Sequence, residues 1–387
     1  MPAGVAALLR PQVDGVADLL IDEIQRRVPE YSRPADETYL KVLRLAVNEA
    51  LRGFLDRIES PRAPWDLEVF RTIGRGEAAE GRDLESFQAA MRLGARVAWR
   101  QVAEQSDELG LDPRTLYDLG EAIFVYLDQL ADAAAEGFAE ARAHAAGERE
   151  RRRRRLLDLL LSRPPASADA IADMARAAGW PLPRTVAGVA VEEHRERAEG
   201  PPASLLPPDV LPGLDRTAPC LVLPDPGGPG RIQALERALG GRRAAVGPAV
   251  APADAAISLG WAREALDLGR RGVLPWDGLL RCADHMAMLV VFKDEGLVAA
   301  LAETRLAPLA HLRPVQQDRL AETLLAWLRH GRGVAEVAAA LHVHPQTVRY
   351  RLRQLEELYG DQLADPDVRF ELEIVLRARQ ALDAAPR

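Results

Sequence analysis

The sequence predicts a multidomain, mainly α-helical protein: an all-α N-terminal domain, an α/β middle domain and an all-α C-terminal domain with a helix-turn-helix. Three observations predict it. Apolar residues recur at helical spacing through the first 146 residues, with no convincing strand among them. After Pro164 prolines and glycines become dense, and short β-like runs alternate with helical stretches. From about Leu306 helical spacing returns and holds to the end. A chain of 387 residues suits about two to three domains. The expected boundaries are 1–146 for the helical domain, 147–161 for a linker helix, 162–305 for the α/β domain and 306–387 for the C-terminal domain.

In the first domain Leu19, Leu20, Ile24 and Val28 mark one helical stripe, and Leu40, Leu43, Val47, Leu51 and Leu55 mark the next. Pro29, Pro34 and the Pro61-Arg62-Ala63-Pro64 string separate the segments. Two further helices are expected over 84–104 and 116–145, joined by Gly110-Leu111-Asp112-Pro113. Asp112 followed by Pro113 has the pattern of an N-cap and a first helical residue. Trp65, Phe70, Phe87, Trp99, Tyr117, Phe124 and Tyr126 read as core-filling aromatics, with a ligand pocket as the minority reading.

Residues 147–161 join Glu148, Arg149, Glu150 and five arginines, Arg151 to Arg155, to the apolar cluster Leu156, Leu157, Leu159, Leu160 and Leu161. The favoured reading is a solvated linker helix whose tail inserts into the next domain. The second reading is a signalling helix that pairs with its mate in a dimer or binds phosphates. In the middle domain strands are expected over 185–191, 220–223 and 244–246, and helices over 168–178, 232–239 and 253–268. Residues 286–292 fit either a strand or a buried helix, because a short apolar run does not separate the two.

The most informative segment is 333–360. Val337, Ala338 and Leu341 share a face of a short helix after Gly333, and His342-Val343-His344 breaks it. Pro345 opens a second helix, where its missing N–H is harmless. There Val348, Leu352 and Leu355 point inward at i, i+4 and i+7, which leaves Gln346, Thr347, Arg349, Tyr350 and Arg353 on the remaining surface. Such a helix pair can lay its second helix in the DNA major groove. Arg bonds guanine bidentately, Gln pairs with adenine, and Thr or Tyr positions phosphates. From His342 to Leu355 there are three arginines and no carboxylate, in a chain with 58 acidic against 50 basic residues and a formal charge of −8. That local excess favours a polyanion. The candidate DNA-contacting residues are therefore His344, Gln346, Thr347, Arg349, Tyr350 and Arg353. An ordinary amphipathic hairpin with an arginine-rich outer face is the competing reading.

The run Ala338-Ala339-Ala340-Leu341-His342-Val343-His344-Pro345-Gln346-Thr347-Val348-Arg349-Tyr350-Arg351-Leu352 resembles the C-terminal helix-turn-helix of the PucR/CdaR family of bacterial transcriptional regulators. Leu355-Glu356-Glu357-Leu358-Tyr359-Gly360, Asp365-Pro366 and the stretch 369–382 fit the same pattern, as does the upstream segment 320–328. Where the family commonly carries Arg-Asn, this chain carries Pro345-Gln346, a departure at the start of the second helix. The resemblance implies a degenerate GGDEF-like middle domain over 162–305 and an RsbRD-like helical sensory domain, globin-like in its packing, at the front. It implies a transcriptional regulator that binds double-stranded DNA as a homodimer or higher homo-oligomer, with a small-molecule or protein effector.

Enzyme readings find little support. No Gly-Gly-Asp/Glu-Glu-Phe string exists, and Gly227-Gly228 runs into Pro229, so nucleotide cyclase chemistry is not expected. P-loop, dinucleotide and Gly-x-Ser-x-Gly fingerprints are missing. His342 and His344 lack a third clustered ligand, and His194 and His285 lack a nucleophile partner. His344 is expected to cap the second helix or touch phosphate. The only histidine of the first domain, His144, lies at its end, which disfavours haem. No cofactor and no metal are expected. Cys220 and Cys282 are the two cysteines, too few for a disulfide scaffold or a cysteine zinc finger. Without a signal peptide or a membrane-length apolar run, the chain is expected to be cytoplasmic and to have no membrane partner. The alternative function is a protein-interaction module of a stress-signalling assembly, in which the terminal helices serve dimerisation.

Overall fold

The computed structural model describes residues 4–31, 37–61, 65–193, 205–276, 278–329 and 333–384. His194 and Pro34 lie outside the described residues. The chain divides into two compact units, Met1–Arg149 and Glu150–Arg387.

Among its described residues the first unit has only helices and turns: α1 (Val5–Leu9), α2 (Val13–Arg27), α3 (Glu37–Glu59), α4 (Glu68–Ala79), α5 (Leu84–Glu104) and most of α6 (Pro113–Leu160). Asp83 caps α5 by accepting from the Glu85 and Ser86 amides. Asp112 caps α6 by accepting from both the Thr115 amide and its hydroxyl at 2.9 Å, with Pro113 as the first helical residue. These hydrogen bonds hold the Asp112 carboxyl below its ordinary value. Where the spacing predicts a helix over 116–145 and then a linker helix, a single helix of 48 residues runs through. Gly147 does not break it, because one interior Gly costs only about 1 kcal/mol against its helix-forming neighbours.

α4 and α6 meet backbone to backbone. A Cβ on Gly74 would overlap the Ala134 carbonyl oxygen, and one on Gly137 would overlap the Arg71 carbonyl oxygen. The expectation that every aromatic fills the core needs correction. Phe70, Phe87 and Tyr126 are buried, and Trp65 stacks on Tyr126 at 4.8 Å. Tyr117 and Phe124, however, are 79% and 71% exposed, because they lie on the face of α6 turned away from its buried Leu119 and Leu130.

The second unit begins with the end of α6 and α7 (Ala168–Ala177). The arginine run is tied to this unit. Arg153 donates to the Pro208 and Val210 carbonyls, Arg152 to the Ala177 carbonyl, and Arg154 pairs with Asp215. Leu156, Leu157 and Leu160 then bury against Ile171, Trp180, Val186 and Val222. The tail therefore inserts into the domain that follows, as the favoured reading expects.

A five-stranded sheet comprises β1 (Val186–Val191), β2 (Leu211–Gly213), β3 (Cys220–Pro224), β4 (Ala244–Val246) and β5 (Leu279–Arg281), with α8 (Arg231–Leu239) between β3 and β4. Its order is β2-β3-β1-β4-β5, antiparallel except for the parallel pair β4 and β5. β1 is buried on both faces. Ala187, Val189 and Val191 pack towards α8, and Ala190 packs towards α9 (Ala255–Arg270). At Gly188 the backbone of α9 comes so close that a Cβ would overlap Leu259. Ser258, fully buried, accepts from the Gly188 amide and donates to the Pro248 carbonyl.

The open choice at 286–292 resolves as helix α10 (Met286–Val291), and it is not a buried one. Leu289 and Phe292 are buried while Val290 is 73% exposed. Both cysteines are free and buried, and burial pushes the Cys282 thiol up to about 12.

The chain ends in α11 (Glu295–Arg305), α12 (Pro314–Arg329), α13 (Val334–Ala340), α14 (Pro345–Tyr359) and α15 (Pro366–Asp383). Leu320, Leu324, Leu355, Leu372 and Leu376 form one core there, with Leu301 and Leu306 packed against it. An Arg305–Glu371 ion pair and a hydrogen bond from the Tyr359 hydroxyl to the Arg305 carbonyl add polar ties to α11. Among the described residues no helix is long and apolar enough to cross a membrane.

Candidate nucleic-acid interface

α13 and α14 form the helix pair that the spacing predicts. Val337, Ala338 and Val348 bury against Ala326 of α12, with Leu341, Val343 and Leu352 closing the edge of this small core. The turn is made at His342, whose φ of 53° is left-handed, and the Val343 amide returns to the Ala338 carbonyl. A non-Gly residue in that region carries strain, which the packed helices on both sides hold in place.

His344 starts α14 from extended backbone. Its ring Nδ1 accepts from the Gln346 amide at 3.2 Å, and its carbonyl accepts from the Thr347 amide at 2.9 Å. This satisfies amides that the first turn would otherwise leave open. An accepting Nδ1 leaves the proton of a neutral imidazole on Nε2, on an exposed ring, free to donate outward.

The candidate residues gather on one side. His344, Gln346, Arg349, Tyr350 and Arg353 are exposed and Thr347 is half-buried. Gln346, Arg349, Tyr350 and Arg353 stand at i, i+3, i+4 and i+7, a continuous helical face. The Gln346 Oε1 accepts from Arg349 at 3.2 Å, and Gln354 donates to the Tyr350 hydroxyl, whose own proton remains available. The first carboxylates on the helix, the exposed Glu356 and Glu357, come one turn beyond Arg353 on the same side.

Arg351, the third arginine of the segment, does something else. It is half-buried and donates to the fully buried Thr323 hydroxyl of α12, which itself donates to the Arg319 carbonyl. Sequence reasoning missed this tie, since nothing local marks Thr323 as its partner. At the far end burial pushes the Tyr359 phenol up to about 12. Among the described residues no group of three or more His, Cys, Asp or Glu side chains is placed to hold a metal ion.

Two short helices across a strained turn, the second capped, anchored from within and presenting an arginine-bearing face, define a helix-turn-helix protein. Two family models match the chain. The PucR-like N-terminal domain matches residues 1–161, and the PucR C-terminal helix-turn-helix domain matches residues 320–378. The two ends of the chain thus match the N-terminal and C-terminal domains of PucR-type proteins. Neither model takes in residues 162–319, and nothing in them supports a GGDEF-like middle domain.

The purine catabolism regulatory protein of Bacillus subtilis (strain 168) is 38% identical over 68 residues, 17% of this chain. The chain spans only 13% of that relative's length. A crystal structure of the regulator of polyketide synthase expression from Bifidobacterium adolescentis is 20% identical and covers 60% of this chain and 98% of its own, with a TM-score of 0.30. Likeness at that level carries no fold, and the architecture above rests on its own contacts.

Proposed function

We propose that the protein is a DNA-binding transcriptional regulator that reads duplex DNA with α14. The observation that carries this reading is the exposed face of Gln346, Arg349, Tyr350 and Arg353, free of carboxylates and set on a helix fixed from behind by Val348 and Leu355. Arg349 and Arg353 supply base or phosphate contacts, Gln346 and Thr347 act at the helix start, Tyr350 stacks or bonds a phosphate, and His344 donates from Nε2 to a phosphate. The face is charged and polar, whereas a surface serving only dimerisation is expected to be apolar at its centre.

A single short helix reads few bases, so the protein acts as a homodimer, or a higher homo-oligomer, on paired half-sites. The same reading makes it a cytoplasmic non-enzyme. The matched family domains and the regulator among its relatives support that direction.

The test is binding of the full chain, by fluorescence anisotropy, to duplexes that the chain itself enriches from a random pool, against scrambled duplexes of equal composition. Preference for the enriched duplex by roughly 10³-fold or more at physiological salt is expected. Failure to enrich any sequence, with equal binding to both duplex classes, would remove the sequence-reading role.

A further inference from the structure

The buried apolar residues of the first unit gather in separate clusters bridged by the half-buried Leu51 and Phe54. They fall into three clusters, represented by Ile24 and Val47, by Leu55 and Leu119, and by Phe70 and Leu130. A domain of this size ordinarily has one contiguous core. Between the clusters lies a cavity of about 670 Å³, and all six of those residues line it. Protein interiors otherwise hold few voids larger than a water molecule. Water is a poor filler, because it needs several polar partners and these walls are mostly apolar. Ligand sites, in contrast, are mostly apolar and of this volume.

The polar groups at the wall indicate what kind of molecule fits. Among the described residues the charged ones lining the cavity are Glu77, Glu80 and Arg82. Two carboxylates share one guanidinium. Arg82 grips both oxygens of the buried Glu77, at 2.7 and 3.0 Å, and also pairs with Glu80. The Tyr126 hydroxyl is spent on the Ala50 carbonyl at 2.8 Å. A charged ligand would lose its hydration, an anion without an unpaired cation to meet it and a cation only against carboxylates already held by Arg82.

We infer that residues 1–149 contain a binding site for an uncharged, predominantly hydrocarbon or aromatic small molecule, seated in this cavity. The site goes beyond the DNA-reading proposal and stands whether or not α14 reads DNA. Small residues on the wall leave the space open. A Cβ on Gly94 would have only Leu20 Cδ2 near it, at 3.6 Å, and Ala98 also lines the cavity. Larger side chains at these positions grow into the space the ligand needs.

The test uses the full chain without DNA and the uncharged fluorescent probe N-phenyl-1-naphthylamine. Saturable one-site binding is expected, with a rise in the thermal midpoint at saturating probe. G94L and A98L should each weaken binding tenfold or more while keeping the far-ultraviolet circular dichroism and a thermal midpoint at least as high. Two variants are used so that a folding defect in one leaves the other decisive. Lack of saturable binding, or equal affinity in a folded variant, overturns the site. Equally tight binding of the anionic probe 8-anilinonaphthalene-1-sulfonate, lost in the same variants, overturns the uncharged class.

Discussion

Gly74→Ala is the substitution that most directly probes how the first unit is built. Two opposing effects act at this position. Alanine is a better helix former than glycine by about 1 kcal/mol in an interior position. Against that, its Cβ would overlap the Ala134 carbonyl oxygen and crowd the Phe138 amide, both backbone atoms that cannot rotate away. α4 and α6 would have to part along their crossing, which also strains the matching contact of Gly137 with Arg71. Overpacking of this kind costs roughly 1–3 kcal/mol, and the upper end applies where backbone must move. The steric effect wins, with net destabilisation of about 1–2 kcal/mol once the helix gain is subtracted. Gly76, two residues along the same helix, is the control. A Cβ there meets nothing within 4 Å, so Gly76→Ala should stabilise by roughly 0.5–1 kcal/mol. Native-state hydrogen exchange of α4 and α6 peptides in graded urea reads both changes in the unit where they occur. Equal protection in Gly74→Ala and Gly76→Ala would refute the backbone contact.

Further outcomes follow from the second unit. Leu355→Ala removes a fully buried side chain between α12 and α15 and should cost about 2–5 kcal/mol, seen as lost exchange protection in 314–383 together with lost DNA binding. Arg351→Ala should lower stability by about 0.5–1.5 kcal/mol through its Thr323 hydrogen bond and leave the salt dependence of DNA binding unchanged; a reduced salt slope would place Arg351 on the DNA instead. Cys282 and Tyr359 are both pushed up to about 12 by burial, so their unfolded forms ionise first. Their contribution is intact below about pH 9 and is lost as pH rises towards 12, and urea midpoints should fall progressively over that window. A flat profile there would mean that these groups are hydrated in the folded chain.

Much of this was legible in the sequence, and the gaps have physical causes. The helical period sorted α14 well. Val348 and Leu355 went inside, and Gln346, Arg349, Tyr350 and Arg353 outside. Local cap chemistry was equally readable at Asp112-Pro113 and at His344-Pro345. β1, β3 and β4 were visible as apolar runs, but β2 and β5 were not. Each is three residues long, Leu211-Pro212-Gly213 reads as a turn, and both exist through pairing with distant strands. α4 escaped because Gly74 and Gly76 weaken a local helix signal, while the close crossing that requires Gly74 is tertiary. The Thr323–Arg351 tie spans 28 positions and leaves no local trace. Periodicity told which faces turn inward in the first unit. It did not tell that those faces border an apolar cavity.

The central claim is that α14 reads DNA, and the most direct measurement is the affinity of Arg349→Ala for enriched and scrambled duplexes across a salt series. If Arg349 bonds a base edge, the variant should lose about 1–3 kcal/mol on the enriched duplex, relax preference at one position and keep its salt slope. If it bonds phosphate, binding should weaken on every duplex and the slope should shrink by about one. Undiminished binding to all duplexes by a folded Arg349→Ala chain would contradict the claim.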